Sequence, residues 1–232
     1  MPETLTVDDL VFEVRRSPRR RSMQITVDRR GELLLSGPAG CDVQRLERFV
    51  RDKKAWIYGK LALKQTFQQA LAGKEFVSGE GFSYLGRNYR LLLVDSQGVP
   101  LKLEGGRLKL LRSEAIRGRA HLVRWYCRRA EAWVGPRMAA LAARVGVTPK
   151  GLRVTDLGHR WGSCGREGTV NLHWATILLP PSAIEYVVVH ELVHLLERHH
   201  TPEFWLRVER AMPDFERRRA WLAERGGGMA AL

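Results

Sequence analysis

The first part of the chain is dominated by short runs in which apolar or β-branched residues alternate with polar ones. The first three runs lie at residues 10–14, 23–27 and 32–36. Alternation of this kind, bounded by glycine and proline, predicts short antiparallel strands. From residue 42 to about residue 72 the apolar residues recur at helical spacing instead. Four further strand-like runs follow, around residues 82–85, 89–94, 101–103 and 107–111.

The C-terminal half of the chain is mainly helical in its pattern. Apolar residues keep helical spacing from Ala115 to about Val145, and Gly146 is placed to end this helix. Gly135-Pro136 lies inside the stretch and should kink or split the helix. Two short strand candidates follow, Leu152–Asp156 and Thr169–Ile177.

Two helix starts near the C-terminus are marked by their capping residues. Ser182 and Glu185 have the spacing of a capping box, which predicts a helix from Ala183 to about Glu197. Thr201-Pro202 places an N-cap residue before a proline, which predicts a second helix that ends near Met212-Pro213.

These patterns predict an α+β protein in two parts. Residues 1–112 form a β-rich N-terminal region with one long helix, and residues 113–232 form a mainly helical domain with a short β-sheet. Hydrophobic residues make up 44% of the 232 residues and charged residues 28%. This composition is that of a globular protein and excludes a disordered or low-complexity chain.

The chain is strongly basic, since 39 Lys+Arg against 25 Asp+Glu give a formal net charge of +14. The excess is concentrated in residues 107–153, where Arg117, Arg124 and Arg128 share one face of the predicted helix with His121. A basic stripe of this kind can bind a polyanion, so contact with nucleic acid through this helix is one hypothesis. The alternative is that these residues form only a solvated helix face.

The cysteine pattern and the apolar runs bear on location. Cys41, Cys127 and Cys164 lie far apart and form no CxxC pair, which argues against a disulfide framework and a cysteine-rich zinc module. The first residues lack the basic and apolar segments of a signal peptide, and no apolar run approaches the ~20 residues that span a membrane. We therefore expect a cytoplasmic protein without a membrane partner.

The strongest chemical signal is the HExxH pattern at residues 190–194, inside the first of the two capped helices. His190 and His194 are one turn apart on the helix, so both imidazoles can bind one Zn²⁺ at about 2.0–2.1 Å. Glu191 is displaced around the helix, where it can act as general base on a water that the metal activates. The alternative, two core histidines hydrogen-bonded to carboxylates, leaves the acid between them unexplained.

A catalytic zinc usually has a third protein ligand and one open position. His200 follows His190 by ten residues and precedes the Thr201 cap, so a chain reversal can return it to the metal; His199 is the competing candidate. Glu197 stands where the extended HExxHxxGxxH signature has glycine. We therefore expect a residue near Arg198 or His199 to adopt the left-handed conformation.

At this point the sequence resembles the YgjP-like metallopeptidase family, relatives of the SprT-like zinc proteases. The C-terminal segments that carry the resemblance are Arg160-Trp-Gly-Ser-Cys164, Asn171-Leu-His-Trp174, Leu179-Pro180, Tyr186-Val-Val-Val-His-Glu-Leu-Val-His194 and His200-Thr-Pro-Glu-Phe-Trp205. N-terminal segments that match are Arg20-Arg-Ser-Met-Gln-Ile-Thr-Val27, Trp56-Ile57 and Tyr84-Leu-Gly86. The resemblance thus covers most of the chain.

The resemblance implies a zincin-like catalytic domain behind a β-rich N-terminal region. It implies one Zn²⁺ per chain with His190, His194 and His200 as ligands, and Glu191 as the catalytic base. It also implies a competing substrate class, because some members of the family are described as nucleotide pyrophosphatases that act on UTP.

Other residues of these segments carry weaker predictions. In zincin-like folds the strand before the active-site helix binds an extended substrate by backbone pairing, so Thr169–Ile177 is the candidate edge. Arg160 is a candidate substrate-binding residue or an anchor for its loop, and Trp174 a candidate substrate contact or a core residue. Cys164 is a redox-sensitive thiol, a transient metal ligand or a small buried residue.

The leading functional prediction is a zinc-dependent hydrolase, most simply a metallopeptidase acting on a peptide or protein. The first alternative is a nucleoside triphosphate (UTP) pyrophosphatase that uses the same metal site. The second is a nucleic-acid-binding module with a structural metal, which three ligands beside an acid disfavour, because structural zinc sites usually have four protein ligands.

Overall fold

The computed structural model describes residues 3–27, 32–62, 74–158, 160–165 and 167–230. The chain forms two compact units, Met1–Gln65 and Thr66–Leu232. The predicted division after residue 112 falls inside the second unit, and it stays a prediction. Among the described residues, no helix combines the length and apolar character needed to cross a membrane.

The first unit is a four-stranded sheet with two helices. Its strands are β1 (Glu3–Val7), β2 (Leu10–Ser17), β3 (Gln24–Val27) and β4 (Leu33–Pro38), in the spatial order β1-β2-β4-β3. Its helices are α1 (Val43–Asp52) and α2, at residues 54–62, so the single long helix predicted from residue 42 is interrupted at Lys53; the predicted part from residue 63 to about 72 lies outside the described residues. The sequence predicted only antiparallel pairs, but β2 pairs with β4 in parallel. The reason is that β4 inserts between β2 and β3 in the sheet. Its buried core includes Phe12, Leu35, Leu46, Val50 and Ile57.

The second unit begins with a sheet of the same strand order. Its strands are β5 (Gly81–Tyr84), β6 (Arg87–Val94), β7 (Leu101–Glu104) and β8 (Arg107–Leu111), in the order β5-β6-β8-β7. The β5–β6 turn lies against the segment that precedes the HExxH helix, because Gly86 N–H donates to the Leu178 carbonyl at 3.0 Å. This sheet therefore supports the chain segment that leads into the HExxH helix.

A 3₁₀ turn, Arg112–Arg117, leads into the long helix α3 (Gly118–Val145). Gly146 ends α3 with a φ of 78°, as predicted from its position. Pro136 does not split α3, which runs through it. Buried side chains anchor α3 both before and after the proline. The loss of one backbone hydrogen bond at Pro136 therefore does not interrupt the helix.

A small three-stranded sheet follows α3. Its strands are β9 (Gly151–Thr155), β10 (Gly162–Cys164) and β11 (Thr169–His173), in the order β10-β11-β9. The strand predicted at Thr169–Ile177 ends at His173, because a buried 3₁₀ turn takes over at Trp174–Leu178, capped by His173 Nδ1 on the Ala175 N–H at 3.0 Å. β11 pairs on both sides, so the expected substrate edge at Thr169–Ile177 is wrong. Among the described strands, β10 pairs on one side only and forms the edge beside β11.

Three helices complete the second unit: α4 (Pro181–Val193), α5 (Pro202–Ala211) and α6 (Phe215–Ala230). The predicted capping box is wrong, since α4 begins at Pro181 and Ser182 already lies inside it. Glu185 instead accepts from the Arg218 guanidinium of α6 at 2.9 Å. The second helix start is confirmed, because the Thr201 hydroxyl accepts from the Phe204 N–H at 3.3 Å. The α+β class and the β-rich N-terminal region are confirmed.

Candidate active site

The active-site helix α4 is buried on nearly all sides. Its buried apolar residues include Val187, Val188, Val189, Leu192 and Val193. It packs against α3, α5, α6 and β10. A helix packed on so many sides has a fixed backbone position, which suits a site whose residues must keep their relative places.

The HExxH histidines meet a third histidine from outside the helix. One ring nitrogen from each of His190, His194 and His200 lies within 4.8 Å of the other two. The Nε2 atoms of His190 and His200 are 3.0 Å apart. Two imidazole nitrogens bound to one tetrahedral Zn²⁺ are separated by about 3.3 Å. The structure thus brings His200, and not the competing His199, to the pair.

The return of the chain to His200 is made by tight turns. The N–H groups of Leu195 and Leu196 donate to the carbonyls three residues earlier, at 3.0 and 2.9 Å. The Thr201 N–H then donates to the His199 carbonyl at 2.8 Å, a γ-turn centred on His200. No residue here has a positive φ, so the expected left-handed residue near Arg198 or His199 is wrong. Hydrogen bonds of the 3₁₀ type tighten the chain enough without one.

Glu197, which stands where the extended signature has glycine, contributes its backbone carbonyl to the site. His194 Nδ1 lies 2.9 Å from the carbonyl oxygen of Glu197, which can only accept, so Nδ1 carries the proton. The tautomer leaves the lone pair of Nε2 available to a metal. A backbone carbonyl is supplied by any residue type, which explains why glutamate is tolerated at position 197.

The third histidine is held by aromatic rings of α5. Trp205 stacks on the His200 ring, with centroids 5.6 Å apart and planes 22° from parallel. Phe204 lies edge-on to the same ring at 4.7 Å. His200 is exposed to solvent, so the site can be reached from the protein surface.

The carboxylate of the motif is set between the metal ligands and the edge strand. Glu191 is only 7% exposed, and this burial raises the pKa of its carboxyl to about 8, while the positive charge of Arg160 acts in the opposite direction. β10 lies directly against it: a Cβ atom built on Gly162 would be 2.6 Å from Glu191 Cγ and 2.8 Å from Oε1. A glycine at position 162 is therefore what lets the carboxylate lie against β10.

A comparison with known protein families identifies the family of the chain. The model of the YgjP-like family, described as a metallopeptidase domain, matches residues 21–225. The chain belongs to this family. Neither the curated proteins nor the solved structures contain a match to the chain.

Family membership makes this YgjP-like protein a metal-dependent hydrolase. The donor set fits the implied metal, because three imidazole nitrogens that converge from two chain segments are ligands that a divalent zinc ion favours. The fixed tautomer of His194 is a further feature of metal-binding histidines.

The remaining residues predicted for the site lie in different surroundings. Arg160 is exposed and its charge reaches Glu191. Trp174 is a core residue, 4% exposed and stacked on Tyr126 at 5.9 Å, so we do not propose it as a substrate contact. Cys164 lies on β10, where burial and the negative charge of Glu191 raise the pKa of its thiol. The thiol form therefore predominates at neutral pH.

The basic stripe on α3 is less basic than its sequence suggests. Arg117 and His121 both bind the carboxylate of Glu114, at 2.8 and 2.6 Å. Arg124 and Arg128 are exposed on the same face. Contact with nucleic acid through this helix stays a prediction, supported by these two exposed arginines.

Two side chains next to the site were not predicted from the sequence. Tyr186 lies one helical turn before His190, with ring centroids 6.0 Å apart. Burial raises the pKa of its phenol to about 12, a shift that the positive charge of Arg219 reduces and the negative charge of Glu191 increases. Tyr186 was visible as part of the family motif, whereas Arg219, on α6, had no sequence signal.

Proposed function

We propose that this YgjP-like protein is a zinc-dependent peptidase. His190, His194 and His200 would hold one Zn²⁺, and Glu191 would act as general base. The observation that supports the proposal is the convergence of three histidine nitrogens beside a buried carboxylate that faces an open strand edge.

A zinc ion bound by these histidines would supply Lewis acidity, which polarises a scissile carbonyl and makes water more acidic. The two positive charges would also oppose the effect of burial on Glu191 and favour its carboxylate form at neutral pH. Glu191 then takes a proton from the attacking water and delivers it to the leaving amine. Its burial excludes bulk water, so the proton stays within the site.

The substrate edge follows from the topology of the small sheet. β10 pairs with β11 on one side only, and its other edge is unpaired among the described strands. An extended peptide can add to such an edge through main-chain hydrogen bonds. Because Gly162 of β10 lies against Glu191, a peptide bound there would pass next to the general base.

Phosphoanhydride hydrolysis is the second candidate function, and the exposed Arg160 favours it. Its guanidinium carries positive charge close to Glu191 and could clamp a phosphate. The peptidase and the triphosphatase should respond differently when the positive charges of Arg160 and Arg124 are removed. We expect the double variant Arg160→Ala/Arg124→Ala to change peptidase turnover by less than about tenfold, or about 1.4 kcal/mol. A triphosphatase should lose most of its activity in this variant.

Product analysis tests the proposal. Zinc-loaded protein is incubated with an unstructured protein and with nucleoside triphosphates, and the products are measured by mass spectrometry and phosphate release. We expect new peptides, no phosphoanhydride cleavage, and at least a hundredfold loss of peptidase activity in Glu191→Gln. The matched Glu209→Gln variant, at an exposed position of α5, should keep the parent activity. Triphosphate hydrolysis without any peptide product would replace the peptidase with the second candidate.

A further inference from the structure

Tyr186 is a mostly buried residue beside the site whose phenol has no assigned role. Tyr186 is 5% exposed and lies on α4 one turn before His190, with its ring edge-on to that imidazole. Within the described part of the chain, its hydroxyl makes no hydrogen bond. This hydroxyl is not one of the fully buried polar atoms that lack a partner, so its donor remains accessible to a group bound at the histidines.

A cation from another helix lies near this phenol. Arg219 of α6 stacks on the indole of Trp205 with its guanidinium carbon 4.6 Å from the ring centroid, and Trp205 in turn stacks on His200. Its positive charge reaches the Tyr186 phenol. The neighbouring Arg218 fixes α6 on α4 by donating to the Ser182 carbonyl at 3.1 Å and to Glu185 at 2.9 Å. Arg219 is therefore held at the site by its stacking and by its helix.

The positions along α4 place the phenol and the general base on different sides of the histidines. Tyr186 and Glu191 are five residues apart, which is about 140° around a helix. His190 and His194 project between these two directions. A carbonyl group bound at the three histidines would thus have the carboxylate on one side and the phenol on the other.

We propose that Tyr186 is a further catalytic residue, whose O–H donates a hydrogen bond to the substrate oxygen that gains negative charge when the scissile carbonyl is attacked. Arg219 is a positioning residue that orients this phenol and adds positive charge beside it. The proposal rests on the proposed peptidase function. No bond to Tyr186 forms or breaks: the carbonyl electron pair moves onto the substrate oxygen and returns when the carbon–nitrogen bond breaks.

This assignment is consistent with the chemistry of the groups. A phenol is protonated at neutral pH, so it can donate at the pH where Glu191 acts as a base. One well-placed donor to a developing oxyanion contributes a factor of about 10²–10³ to kcat. A neighbouring cation strengthens such a hydrogen bond.

The test compares Tyr186→Phe with the parent and with Tyr89→Phe, a matched control on β6. We expect kcat to fall about a hundredfold in Tyr186→Phe, with KM within threefold of the parent and the metal content unchanged. The Tyr89→Phe variant should behave as the parent. In Arg219→Gln we expect a smaller fall in kcat, and Arg219→Lys should restore part of it, since it keeps the charge.

A binding measurement separates this proposal from the proposed function. A phosphinic peptide carries a charged oxygen where the attacked carbonyl would have one, and its affinity is measured by calorimetry on zinc-loaded protein. We expect Tyr186→Phe to weaken it at least tenfold. In the Glu191→Gln background, the same change should leave the affinity for an uncleaved peptide unaltered.

The outcomes are distinct. If the parent cleaves peptides and Tyr186→Phe has the parent kcat and the parent phosphinate affinity, Tyr186 fills space only and the proposal is overturned. A rise in KM at constant kcat would also overturn it, because the phenol would then bind the ground state equally. If the parent neither cleaves a peptide nor binds the phosphinate, the peptidase function itself fails.

Discussion

Gly162→Ala is expected to disable the general base while leaving the fold largely intact. The added methyl group would lie 2.6 Å from Glu191 Cγ, 2.8 Å from its Oε1 and 2.9 Å from its Cδ. Carbon atoms in contact are normally about 3.5–4.0 Å apart, so one of the two groups must move by about 1 Å. β10 is hydrogen-bonded to β11, whereas the Glu191 side chain can rotate. The carboxylate is therefore the group that moves.

The expected losses of rate and of stability follow from a displacement of the Glu191 carboxylate rather than of β10. A displacement of about 1 Å in a catalytic group costs about a hundredfold in rate. Excess volume that a side chain can relieve by rotating costs about 1–3 kcal/mol in unfolding free energy. We therefore expect kcat to fall about a hundredfold, the unfolding free energy to fall by no more than about 3 kcal/mol, and the three histidines to keep their metal.

The assay measures initial rates of peptide cleavage, metal content and urea unfolding for parent and variant. Gly151→Ala is the matched control, because it lies in the same sheet, on β9, and an added Cβ there meets no atom within 4 Å. A Gly162→Ala variant that cleaves within threefold of the parent rate would refute the reasoning, since the carboxylate would then not depend on this contact.

Three further predictions concern groups around the site. The pKa of His173 is lowered from 6.5 to about 4 by burial, so between these pH values the unfolded chain binds a proton that the folded chain does not. Urea titrations of the parent and of His173→Gln should therefore differ in their pH dependence: as the pH falls through this window, the parent should lose about 3 kcal/mol of unfolding free energy relative to the variant. Glu197→Ala should keep the metal affinity, measured by chelator competition, because its carbonyl remains, and should lose at most about 1 kcal/mol through the ion pair with Arg207. Gly86→Ala should lower the unfolding free energy by about 1–3 kcal/mol in thermal melts, since Gly86 has a φ of +74° and an added Cβ would lie 3.0 Å from Pro180 Cα; an unchanged melting temperature would contradict this.

The parts of the fold that the sequence predicted depend on local signals. Gly146 ends α3 because its left-handed conformation is a local property of glycine, and Thr201 caps α5 through its own hydroxyl. The spacing of the HExxH motif likewise sets two imidazoles on one face of a helix, whatever surrounds them. The spacing to His200 was informative because the chain between is short, which limits where it can return.

The errors have their origin in tertiary structure. Glu185 satisfies the local rule for a capping box, but Arg218, 33 residues later, binds its carboxylate instead. The central position of β11 depends on a parallel pairing with β9 that residues 169–177 do not encode on their own. Gly162 could have been noticed, since a glycine inside a strand often marks a close approach, but its neighbour Glu191 is revealed only by the packing of α4 on β10.

The central claim, that His190, His194 and His200 form one metal site, is tested most directly by elemental analysis. The protein is purified without added metal and without a chelating tag, and the metal content is determined for the parent and for the His190→Ala/His194→Ala double variant. The account predicts about one equivalent of zinc, or of another divalent metal, in the parent and loss of that metal in the double variant. Full occupancy retained in the double variant would contradict it.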